Sequence, residues 1–69
     1  MANWQPIYKT ALLYRAEIIK SCLEEEEIAV IILNKKESAH QIHGYYEIRV
    51  EPDQILRAIK IIENDITFG

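Results

Sequence analysis

Six consecutive apolar residues, Ile28 to Leu33, follow directly on four glutamates, Glu24 to Glu27, and give way at once to the polar stretch Asn34-Lys35-Lys36-Glu37-Ser38. A short apolar run rich in β-branched residues reads as a strand buried on both faces. A chain of 69 residues has little material with which to cover both faces of a sheet. A domain near this size buries only about 60% of the surface its unfolded chain exposes. Small folds with so thin a core often add a disulfide, a metal or a second subunit. The one cysteine, Cys22, excludes an internal disulfide and fits a reducing, cytoplasmic setting. It lies in an apolar helical stretch and reads as a small core residue.

The elements around the run follow from periodicity. Gln5 to Lys9 reads as a first strand, with Pro6 tolerable near a strand end. Thr10 is positioned as an N-cap for a helix. Leu12, Ala16, Ile19 and Leu23 recur at helical spacing and form its buried stripe, which Ile18 and Cys22 widen. The closing glutamates sit at the unfavourable end of the helix dipole, so the helix is expected to fray there. Residues 28–33 form the second strand. After the long polar loop from Asn34 to Gly44 comes Tyr45 to Val50, which alternates cleanly. Tyr46, Ile48 and Val50 point one way; Tyr45, Glu47 and Arg49 point to a wet face. Pro52 and Asp53 open a second helix, with Ile55, Ala58, Ile59 and Ile62 buried and Leu56 and Ile61 off the stripe. Residues 66–68 are a candidate fourth strand.

The order is therefore β-α-β-β-α with an optional last strand, one domain over residues 1–69. Two strands joined through a helix run parallel, and the third fits between them, antiparallel to both. This is the α+β, ferredoxin-like plan, with two helices on one face of an antiparallel sheet. The run at 28–33 then becomes an apolar edge strand with one side uncovered, a hazard unless something caps it. Ile28, Val30, Ile31, Leu33 and Tyr45 are the expected association residues, and a homodimer is the expected assembly. The sequence leaves open which face of the second strand meets the helices.

Composition narrows the function. Apolar residues make up 49% and charged residues 28%, as in a folded soluble domain, and the net charge is -3. That balance argues against nucleic acid and anionic membranes as partners. No signal peptide is visible, and no apolar run approaches the ~20 residues needed to cross a bilayer. His40 and His43 form an H-x-x-H to which Glu37 or Glu47 could contribute, but nothing in the spacing supplies a full ligand set, so no metal is expected. Ser38, two residues from His40, makes no triad signature. Neither an enzyme nor a cofactor is expected. The stretch HGYYEIRV lies where an RNA-stacking motif would lie in an open-faced sheet. Gly44, Tyr45 and Ile48 match it in kind. Tyr46 is too large for its small position, and Glu47 replaces the second stacking aromatic. Asn34, Lys35, Lys36 and Ser38 are the best candidates to receive a small anionic ligand. A metal protein or enzyme built on His40 and His43, and a weak RNA-binding domain, are the alternatives.

The pattern WQPIYKTALLYRAEIIKSCLEEEEIAVIILNKKES, followed by GYYEIRVEPD and an isoleucine-rich helix, resembles a bacterial domain-of-unknown-function family described as prokaryotic signal-transducing proteins. The resemblance spans about residues 4 to 64. Its features are Ala16-Glu17-Ile18, Leu23-Glu24-Glu25 before an apolar strand, the NKKES turn, and Val50-Glu51-Pro52-Asp53. It implies a ferredoxin-like regulatory domain that binds a partner protein or a small ligand. It implies no catalytic motif and no metal.

Overall fold

The computed structural model describes residues 3–35 and 44–65. Among them the order is β1 (Gln5–Thr10), α1 (Leu13–Glu25), β2 (Val30–Asn34), β3 (Tyr46–Val50), a 3-10 turn at Pro52–Gln54, and α2 (Ile55–Asp65). The strands form a sheet in the order β1-β3-β2, with β3 antiparallel to both neighbours. The α+β class and the central place of the third strand agree with the sequence reading. The candidate strand at 66–68 lies outside the described residues.

One hydrophobic cluster joins the layers. Ala16, Ile19 and Leu23 of α1, Ile28, Ile48 and Val50 of the sheet region, and Ala58 and Ile61 of α2 are buried together. Val30 and Ile32 pack against this cluster. They lie opposite Val50 and Ile48 in the β2–β3 register. Alternation along a strand then turns Ile31 and Leu33 to the other side of the sheet. The face that the sequence left undecided is thereby fixed.

The second strand begins two residues later than expected, and the reason lies in how α1 ends. The Glu27 N–H donates to the Glu24 carbonyl at 2.9 Å, and the Ile28 N–H donates to the Leu23 carbonyl at 3.0 Å. These two bonds close a Schellman motif, whose C′ residue must adopt a left-handed backbone. Glu27 does so, with φ 63°. The accompanying apolar contact is between the residues at C3 and C″, here Leu23 and Ile28, both fully buried. Ile28 is thus the clasp of the helix cap and not the first strand residue, and Ala29 is exposed. The expected fraying is replaced by a closed cap. Along the same helix, Lys20 pairs with Glu24 at 3.6 Å.

The start of α1 also differs from expectation. Thr10 stays in β1, and its hydroxyl accepts the Leu12 N–H at 3.2 Å. Leu12 takes the N-cap position without a side-chain cap. A hydroxyl bonded two residues ahead tightens the turn in place of capping the helix. Leu12 is consequently left outside the buried stripe and Ile18 is exposed, while Cys22 is half-buried.

On α2 the buried stripe is rotated from the expected one. Ile61 is buried, Ile55 and Ile62 pack against the core, and Ile59 is only half-buried. The isoleucines at 55, 59, 61 and 62 share one face of the helix with Ala58, and the buried centre lies toward the Ala58–Ile61 side of that face. On its exposed flank Arg57 reaches Glu26, at the end of α1, at 3.6 Å. Leu56 is 79% exposed, as its position off the stripe predicts.

In β1 the register shifts between Pro6 and Tyr8, so Pro6 and Ile7 together oppose Arg49. This bulge follows from bond parity. The Lys35 N–H donates to the Tyr45 carbonyl at 2.8 Å, so residues 45, 47 and 49 bond toward β2. Residues 46, 48 and 50 then bond toward β1. Pro6 sits opposite a residue whose polar groups are turned away from it, and its missing N–H costs no ladder bond.

Candidate functional site

The sheet side opposite the helices is built from Lys9 of β1, Tyr45, Glu47 and Arg49 on or beside β3, and Ile31, Leu33 and Lys35 on or beside β2. Its centre is not wet. Glu47 is only 4% exposed, with Lys9 opposite it on one side and Leu33 on the other. Two residues along the same strand face, the Arg49 guanidinium donates its Nε–H to the Glu47 carboxylate at 2.6 Å. A buried carboxylate needs such a charged, hydrogen-bonded partner to be tolerated. Beside this pair, the Lys9 ammonium stands 5.3 Å from the centroid of the Tyr45 ring, a cation–π arrangement. Ile31 and Leu33 complete the surface as half-buried aliphatics.

The expected association residues divide between the two sides of the sheet. Ile31, Leu33 and Tyr45 belong to the side away from the helices. Ile28 is fully buried and Val30 packs against the core, so their side chains are committed to the interior. Strand alternation from 28 would have put Ile28 and Val30 on one face with Ile32. The structure keeps Val30 and Ile32 together and withdraws Ile28 into the helix cap.

Of the expected ligand-binding residues, Asn34 is exposed at the end of β2 and Lys35 is half-buried one residue beyond it. Lys36 and Ser38 lie outside the described residues, as do His40, His43 and Glu37. Among the described residues no three His, Cys, Asp or Glu side chains converge in a way that could hold a metal ion. Nor is any helix among them long and apolar enough to cross a membrane.

Two surface depressions accompany α1. The first, about 370 Å³, is lined by Glu17, Lys20, Ser21, Glu24 and Ile32, and runs between the helix and the outer border of β2. The second, about 400 Å³, lies on the outer helix surface over Tyr14, Ile18 and Cys22. Sequence reading did not connect Glu17, Lys20 and Ser21 with β2. It also did not pair Glu47 with Arg49, although opposite charges at i and i+2 on one strand face are a usable signal.

Comparison with protein-family models, with curated proteins and with solved structures finds no match. The functional reading therefore rests on the residues and their arrangement.

Proposed function

We propose that this chain is a ferredoxin-like regulatory module without catalytic activity. It acts in the bacterial cytoplasm as a homodimer and binds a partner protein or a small anionic ligand. The observation that carries this reading is the asymmetry of the sheet. One side is sealed by α1 and α2 through the shared core, while the other presents Ile31, Leu33 and Tyr45 beside Lys9, Lys35 and Arg49. Aliphatic and aromatic side chains flanked by cations suit association with a protein surface or with an anionic group. The sequence resemblance to the prokaryotic signal-transducing family supports the same assignment.

Sedimentation at micromolar concentration tests the assembly, with a dimer expected; a strict monomer overturns it. Titration with inorganic phosphate and with acidic peptides, followed by amide chemical shifts, tests the ligand. Shifts concentrated at Asn34, Lys35 and Tyr45 are expected. Saturating addition that leaves those three signals unmoved removes the anionic-ligand assignment.

A further inference from the structure

The outer border of β2 is an unprotected strand edge among the described residues. Among the described residues β2 has a single strand neighbour, β3. Its sequence, Val30-Ile31-Ile32-Leu33-Asn34, contains no charge, no proline and no glycine. Edge strands are normally protected from strand addition by such residues, by bulges or by a covering element. Bond parity shows what this border offers. Residues 31, 33 and 35 direct their backbone groups to β3, so Ile32 directs its N–H and C=O outward, away from the sheet.

From this we infer that two copies of the chain pair along β2, antiparallel, about a two-fold axis at Ile32. The inference rests on the homodimer reading above and specifies its geometry. In this register Ile32 of one copy meets Ile32 of the other and exchanges both backbone hydrogen bonds. On the sheet side away from the helices, Ile31 of each copy faces Leu33 of the other. Such apolar cross-strand pairs contribute to sheet stability in their own right. A two-fold axis presents the same patch on both copies, so the patch must be self-complementary. An antiparallel strand centred on a single residue meets that condition.

The depression between α1 and β2 supplies the electrostatic half of the argument. Its walls carry Glu17, Lys20 and Glu24, with Ile32 at its β2 side. Pairing at Ile32 brings the two depressions together across the axis, so the α1 helices flank the seam. Lys20 is the cation among the lining residues, and it and Glu24 are each about half exposed. Both signs are therefore present on each copy, and Lys20 of one can serve carboxylates of the other. Without Lys20 the charged residues lining the two depressions would all be acidic.

Amide hydrogen exchange at Ile32 reads this geometry directly. In a monomer the outward N–H exchanges rapidly, whereas Ile31 and Leu33 are protected in either state. Raising the protein concentration through the dimerisation range is expected to slow Ile32 exchange by about tenfold or more. A dimer by sedimentation whose Ile32 amide exchanges equally fast at low and high concentration overturns the edge pairing and leaves the homodimer reading intact. A strict monomer overturns both. Lys20→Glu is a surface change that leaves the core untouched. It is expected to weaken dimerisation about tenfold or more, with recovery in the Lys20→Glu/Glu24→Lys double variant. An unchanged dimerisation constant in the single variant overturns the placement of the seam beside α1.

Discussion

Replacing Glu27 by glycine is expected to stabilise the protein. Glu27 is exposed, holds φ at 63° and provides the left-handed residue of the α1 cap. A side chain with a Cβ in that conformation costs about 1–2 kcal/mol relative to glycine. The carboxylate also stands just past a helix C-terminus, beside Glu24, Glu25 and Glu26, where a negative charge costs a further ~0.3–1 kcal/mol. Against these gains, glycine loses more chain entropy on folding, roughly 0.4–1 kcal/mol. The net expectation is a gain of about 1 kcal/mol, or a midpoint higher by about 4–8 °C in a domain of this size. Urea unfolding with an unchanged m-value and a thermal scan would measure it. Glu27→Gln is the control, because it removes the charge and keeps the Cβ; it should gain only a few tenths of a kcal/mol. If Glu27→Gly is no more stable than Glu27→Gln, the cap geometry has been misjudged and the left-handed residue is not strained.

Three further outcomes follow from burial. Ile48 is fully buried on the central strand, so Ile48→Ala should cost about 2–5 kcal/mol. That loss takes up much of the stability of a domain this small, and equilibrium unfolding should show a large unfolded fraction in water. At the Glu47–Arg49 pair, Arg49→Ala should destabilise more than Glu47→Gln, because the carboxylate is buried while the guanidinium side chain is 31% exposed. Solvation of the arginine keeps the second loss near ~1 kcal/mol, against about 2–3 kcal/mol for the first, and paired urea titrations would show the order. Leu56→Lys, at the most exposed large apolar side chain among the described residues, should shift stability by no more than about 0.5 kcal/mol.

What could be read from the sequence was set by how redundantly each feature was encoded. The centre of the α1 stripe, Ala16, Ile19 and Leu23, appears as read, whereas Leu12 and Ile18, expected in or beside it, are exposed. The alternation of Tyr46, Ile48 and Val50 likewise gave the core side of β3. The apolar face of α2 was legible, but which edge of it is more deeply buried, Ile59 or Ile61, was not, since that depends on tertiary packing. Ile28 was misassigned because an apolar run continues through the helix cap into the strand. Nothing in hydropathy distinguishes a clasp from a strand residue, and the left-handed position is held by glutamate where glycine would have announced it. At the candidate site, the place of Tyr45 followed from the alternation of β3, but which face of β2 carries Ile31 and Leu33 was left open by the sequence. The burial of Glu47 did not, because it depends on which side chains flank it on two neighbouring strands.

The two borders of the sheet are unlike, and the bulge in β1 makes them so. The outward row of β1 contains Pro6, which has no donor, and a doubled step at Pro6 and Ile7 that breaks the regular spacing an incoming strand requires. Under the β2 pairing proposed above, one margin joins a second copy while the other, among the described residues, offers an incoming strand an interrupted row, so such a pair would not extend into a filament. Straightening that first strand, by filling position 6 with an ordinary residue and deleting the extra one, would then be expected to open the way to longer assemblies.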